Sequence, residues 1–178
     1  MTTDNHIQIS GPFERLFELA SDIGRWPEIL PHYRWVRILN RQGNTLIAEM
    51  AARHKGLPLW WRALRTALPE ERRIHFTHIG GITKGMDVDW TFQETQGSEL
   101  RAQKGPLWHV QIHHRFTPNW PPGGQWFADR VIGKIFVQQV AGKTLRCIKE
   151  IMEREPWTVD RARFASVHGS RPTDHAVL

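Results

Sequence analysis

The sequence contains one cysteine, Cys147, and one tyrosine, Tyr33, in 178 residues. A lone cysteine excludes an internal disulfide and the stapled secreted scaffolds that depend on one. A chain of this length buries roughly two-thirds of its unfolded surface and folds without staples. Long apolar runs are also missing. The greasiest stretch, Val131–Val140, is broken by Gly133, Lys134 and two glutamines, well short of the ~20 apolar residues of a membrane span. Met1–Ser10 is polar and lacks the apolar segment of a secretory leader. The expectation is a cytoplasmic protein in a reducing compartment, with no membrane span. No glycine-rich phosphate loop, Ser/His/Asp order or spaced carboxylate pair is found, so no cofactor is expected.

Tryptophan, in contrast, is plentiful. Nine tryptophans exceed what a core of this size needs, and each brings an N–H that wants a partner when buried. Some should line a cavity or cover a surface. Lys and Arg number 24 against 18 Asp and Glu, a net charge of +6. These basic residues are scattered and accompany no nucleic-acid motif, so nucleic acid is not expected; an acidic partner is compatible with them.

Ten histidines raise the question of a metal. His109 and His113 in one strand would stand about 13–14 Å apart at ~3.4 Å per residue. That is too far for two ligands, each about 2 Å from one ion. His113 and His114 point to opposite faces. No metal site is expected.

Along the chain, His6–Ser10 alternates as a strand. Pro12 opens a helix whose stripe is Phe13, Leu16, Phe17 and Ala20, ended by Asp22 and Gly24. Pro27 opens a second short helix that stops before Pro31. Strands follow at Tyr33–Asn40, Thr45–His54, Leu57–Leu68, Arg73–Ile79 and Met86–Glu94, with a last one running to Phe116. Gly or Pro between them marks an antiparallel meander. Asn119–Gly124 breaks the chain, and residues 125–155 read as one long helix carrying Phe127, Val131, Ile135, Val140, Ile148 and Ile151, with Gly133 and Gly142 inside it. The spacing predicts an α+β domain over residues 1–156 and a flexible polar tail over 157–178. A curved antiparallel sheet of about six to seven strands should wrap around the long C-terminal helix, with two short helices after the first strand. A gap between helix and sheet would be a mostly apolar pocket.

Four pieces of sequence carry a family resemblance. They are Pro12-Phe13-Glu14 with Phe17 and Asp22-Ile23; Arg25-Trp26-Pro27-Glu28 with Tyr33 seven residues after the tryptophan; Trp60-Trp61 before Arg65; and Met86 ahead of Trp90-Thr91-Phe92. Over residues 5–154 the chain resembles the START/birch-allergen-like superfamily of helix-grip proteins, and within it the polyketide aromatase/cyclases. The resemblance implies a hydrophobic poly-ketone or aromatic ligand held between sheet and helix, aldol cyclisation and dehydration, and delivery by an acidic acyl carrier protein. It also implies a pocket-lining arginine with a tyrosine and tryptophans around it. This chain departs in one place: Arg65 precedes Pro69 by four, and Ala67 holds the position nearer the proline. The same superfamily includes non-catalytic carriers of lipids, quinones and other hydrophobic molecules, which is the alternative reading.

Strand alternation gives the residues independently. Leu57, Leu59, Trp61, Ala63, Arg65 and Ala67 share the more apolar face of their strand and should point inward. An inward Arg65 either holds a ligand's ketone and developing enolate or sits in a structural ion pair. Tyr33 either donates to a carbonyl or is a core tyrosine with its hydroxyl at the surface. Trp26, Trp61 and Trp90 stack on a ligand or simply pack. Met86 starts a wall-forming strand, and His78 and His114 are pocket acid–base groups or satisfied core histidines. Arg65 and Tyr33 are thus the candidate catalytic residues, and Trp26, Trp61, Trp90, Met86, His78 and His114 the candidate substrate-binding ones.

Overall fold

In a computed structural model, residues 1–54, 57–95, 105–116 and 139–154 are described. The chain begins with β1 (Thr2–Ser10), α1 (Phe13–Ser21), a 3-10 turn (Ile23–Arg25) and the short α2 (Trp26–Ile29). Six strands follow: β2 (Tyr33–Gln42), β3 (Thr45–His54), β4 (Leu57–Leu68), β5 (Arg73–Gly81), β6 (Met86–Thr95) and β7 (Leu107–Phe116). The last described element is α3 (Gly142–Arg154), preceded by a wider π-type turn at residues 139–141. All seven strands form one sheet in the order β1-β7-β6-β5-β4-β3-β2, every neighbouring pair antiparallel. The meander expected from the Gly and Pro punctuation is therefore present, and β1 closes it by pairing with β7. The sheet curves over α3 in a helix grip. No helix among the described residues is long and apolar enough to cross a membrane.

Period-two patterning decides which side of the sheet is dry. On β6, Met86, Val88, Trp90 and Phe92 are buried; on β5, Ile74, Phe76 and His78; on β4, Leu59, Trp61, Ala63, Arg65 and Ala67. A one-residue slip of any strand would turn these side chains to water, so the buried face pins the register. The opposite face carries the charge. Arg62 pairs with Glu49, and Arg73 and His75 share Asp89.

The helices cover the inner face. On α1, Leu16, Phe17, Leu19 and Ala20 are buried, and Phe13 and Phe17 pack on Phe92 with ring centroids 6.0 and 5.6 Å away. The Trp26 indole N–H donates to the Leu19 carbonyl at 3.1 Å, tying α2 to α1. The Trp108 indole donates to Gly11 at 2.9 Å and ties β7 to the β1–α1 corner. Helix α3 buries Thr144, Leu145, Ile148 and Met152, and Met152 reaches so close to Gly11 that a Cβ there would lie 2.5 Å from its Cε. The observed stripe differs in part from the expected one: Met152 is buried, whereas Ile151 is only half-buried. The expected helical residues 125–138, the Asn119–Gly124 breaker and the tail over 157–178 lie outside the described residues.

Gly81 ends β5 at a register shift against β4, with φ +79°. A Cβ there would press on the Trp60 carbonyl oxygen and lie 2.6 Å from the Trp61 Cα. Both are backbone atoms that cannot swing away. Gly81→Ala is expected to cost at least about 2 kcal/mol through the left-handed conformation and the clash together. Thermal unfolding followed by circular dichroism checks this; an unchanged midpoint would contradict the close approach.

Candidate functional site

Between the first turn of α3 and the concave sheet lies a void of about 40 Å³. Trp26, Tyr33, Trp61, His78, Trp90 and His114 line it, six of the eight residues expected from the sequence. Met50, Phe76, Val88 and Ile112 complete the sheet side, and Val140, Ala141 and Thr144 the helix side. The space has room for no more than a few waters at ~10–15 Å³ each, whereas pockets for drug-sized ligands run to several hundred Å³. A ligand of that size enters only if these side chains move.

The wall is aromatic. Trp26 lies with its ring centroid 4.8 Å from Tyr33 and 6.2 Å from Trp90, and Tyr33 meets Trp61 edge-on at 6.0 Å. Trp61 and His78 stack at 6.1 Å with planes 16° apart.

Every titratable group on this wall is neutral at pH 7, for one reason: burial penalises charge. His78, hydrogen-bonded through Nδ1 to Thr83 Oγ1 at 2.6 Å, has its pKa lowered to about 3 by burial, with the nearby His114 adding to the effect. His114 is lowered to about 4, again chiefly by burial. The backbone of Thr3, its partner across the sheet, opposes that shift. His114 Nδ1 is buried with no hydrogen-bond partner among the described residues. Burial likewise pushes the Tyr33 phenol well above its usual pKa, and the neighbouring Thr144 opposes that shift.

Thr144 organises the helix side. Its hydroxyl donates to the Val140 carbonyl at 2.9 Å. With that proton committed, the 2.9 Å contact to His32 Nε2 is a bond donated by the imidazole. Neither His32 nor Thr144 was among the expected residues. A threonine four residues after Val140 and four before Ile148 lies on the helical stripe, and that spacing is the signal that could have found it.

Two expected residues stand apart from the void. Met86 is fully buried but belongs to the core, opposite Phe116 in the sheet register. Arg65 does point inward, as the alternation predicted, and is 6% exposed. It sits four residues beyond Trp61, about 13 Å further along β4, and donates to the Asn44 carbonyl at 3.1 Å while its Nε has no partner. Burial lowers its pKa; the charge of Arg41 adds to that and Asp22 opposes it. The structure therefore does not place Arg65 and Tyr33 together on one wall, because the strand carries the arginine past the cavity to the turn end of the sheet.

Comparison with known proteins follows the same lines. Residues 9–142 match the model of a family described as polyketide cyclase/dehydrase and lipid transport. A provisionally named polyketide cyclase of Streptomyces cyaneus is 27% identical over 96 residues, 52% of this chain and 63% of that protein. The granaticin polyketide synthase bifunctional cyclase/dehydratase of Streptomyces violaceoruber is 26% identical over 117 residues, 65% of this chain and 34% of that protein. The match thus spans less than two-thirds of the length of either relative. Among solved structures, the Zhui aromatase/cyclase from Streptomyces sp. R1128 superimposes with a TM-score of 0.73 at 15% identity, covering 86% of this chain and 94% of that one. At that identity the likeness is one of fold.

Three buried neutral histidines make stability depend on pH. His32 is also lowered to about 4, by burial first and then by the charges of Lys143 and Arg146. Folded pKa values lie below the unfolded ~6.5, so the unfolded chain binds more protons between those limits. Stability is then fully present above pH 6.5 and falls as pH drops towards 4, at up to ~1.4 kcal/mol per pH unit for each histidine. Urea unfolding at pH 7.5, 6 and 5 measures this, and a His78→Gln, His114→Gln double variant should show a shallower fall. A wild-type curve that is flat below pH 6.5 would contradict the neutral burial.

Proposed function

The chain belongs to the polyketide cyclase/dehydrase and lipid-transport family, and from that premise we propose that it binds a poly-ketone or flat aromatic precursor against its tryptophan wall and promotes aldol closure and dehydration. One observation carries the reading: His114, whose Nδ1 has no hydrogen-bond partner among the described residues, and Tyr33, a neutral phenol, line the same aromatic space. A carbon between two carbonyls gives up a proton more readily than an ordinary C–H, so a neutral imidazole suffices as base when the charges form as a pair.

The steps balance as follows. A ligand C–H proton passes to His114 Nδ1, leaving an enolate. The enolate carbon bonds to a second carbonyl carbon, whose oxygen accepts a hydrogen bond from Tyr33, and the imidazolium protonates that oxygen. His114 then takes the remaining α-hydrogen and returns it to the departing hydroxyl, releasing one water. Trp26, Trp61 and Trp90 hold the folded chain flat, with His78 stacked beside Trp61. In this proposal the unpartnered Nε of Arg65 donates to a ligand oxygen at the far end of the hollow, an electrostatic role. Met86 backs the wall from the core.

A carrier of hydrophobic molecules is the second reading. It is favoured by a wall on which no charged side chain appears among the described residues. An acidic acyl carrier protein as the delivering partner is proposed for the cyclase reading only.

A synthetic linear poly-β-ketone thioester, followed by mass spectrometry for loss of one water, separates the two. The cyclase reading predicts dehydrated product, a fall of roughly 10²-fold or more for His114→Gln, and a smaller fall for Tyr33→Phe and Arg65→Ala, with binding retained. A protein that binds the compound, loses affinity on Trp61→Ala and turns nothing over is a carrier.

A further inference from the structure

A second concavity, of about 430 Å³, lies on the outer side of the His32–Thr144 hydrogen bond. His32, Arg53 at the end of β3, and Lys143, Arg146, Cys147 and Glu150 on one face of α3 form its walls. Its charge is concentrated. Several basic side chains elsewhere are matched, Arg62 to Glu49, Arg73 to Asp89 and, on α3 itself, Lys149 to Glu153 and Arg154 to Glu150. Arg53, Lys143 and Arg146 have no ion-pair partner among the described residues. Glu150 stands one turn from Arg146 but lies within 3.5 Å of Arg154 instead. Three unmatched cations thus share one hollow. The field of two of them is felt at His32, whose protonation Lys143 and Arg146 both oppose.

We infer that this groove binds the phosphate end of a small phosphate ester whose apolar body reaches the neighbouring tryptophan-lined space. Two arginine forks and an ammonium surround a dianion with several oxygens better than they would a single carboxylate. The groove is concave and carries Glu150 at one end, which favours a small anion over a flat membrane or a polyanion. Lys143 adjoins Thr144 and His32 adjoins Tyr33, so in each of two pairs of backbone neighbours one residue lines the groove and the other the chamber, and the His32–Thr144 hydrogen bond joins the two pairs. The inference deepens the functional reading and rests on it for the apolar end of the ligand only.

Nuclear magnetic resonance titration of the full chain with inorganic phosphate tests the groove. Saturable shifts centred on His32, Lys143 and Arg146 are expected. The His32 pKa should rise from about 4 as the anion offsets the two cations, and affinity should fall at least about tenfold in a Lys143→Gln, Arg146→Gln variant. Both are helix-surface positions, and the circular dichroism spectrum should be unchanged. Decyl phosphate should then bind more tightly than either phosphate or decanol. No saturable response to phosphate overturns the groove, even where decanol quenches the buried tryptophans. Decyl phosphate no tighter than decanol overturns the shared ligand. A response only to phosphatidylglycerol vesicles assigns the cations to a membrane surface and overturns it too. Phosphate shifting His32 while decanol fails to bind supports the groove and removes the chamber reading instead.

Discussion

A single curved sheet has a concave apolar face that must be taken out of water, and among the described residues one amphipathic helix and the α1–α2 corner cover it. Everything polar caught between them has to be neutral or paired, because an isolated charge in such a space costs several kcal/mol. His78, His114, His32 and Tyr33 meet that condition by staying uncharged. Arg65 meets it by leaning on the Asn44 carbonyl at the turn end of the sheet. The site's chemistry is therefore a by-product of packing: neutral imidazoles and a protonated phenol are what a dry hollow permits.

The convex side shows the opposite solution. Asp89 takes Arg73 and His75, Thr77 donates to Asp87, and His113 meets Asp4, so these carboxylates find partners on neighbouring strands. Against that background the unmatched cations beside α3 stand out. One helix serves both environments: Thr144 turns to the hollow, while Lys143 and Arg146 turn away from it.

Much of this was legible in the sequence because period-two alternation is a strong signal. The inward set on β4 from Leu59 to Ala67, the wall on β6, and Trp61, His78, Trp90 and His114 around the void follow from it directly, whereas Trp26 on α2 and Tyr33 came from the motif they share. What alternation does not give is distance along a strand or across the sheet. Arg65 faces inward as expected and yet lies beyond the void, and Met86 is buried without reaching it. The partners His32 and Thr144 depend on how α3 seats against the start of β2, a tertiary fact with no local pattern beyond helical spacing. The void's small volume is likewise set by how tightly Trp61, His78 and Tyr33 close on one another, which no composition encodes. The family resemblance supplied the ligand class; the residues supplied the face.

The account turns on a ligand entering the hollow and displacing its aromatic wall. Fluorine NMR of protein labelled with 5-fluorotryptophan reads this directly, because among the described residues Trp26, Trp61 and Trp90 are buried around the void, whereas Trp35 and Trp60 lie exposed on the outside and Trp108 is buried away from it. Titration with a flat hydroxyanthraquinone should move the first three resonances saturably and leave the exposed pair in place. Shifts confined to Trp35 and Trp60, or no saturable shift at all, would contradict it.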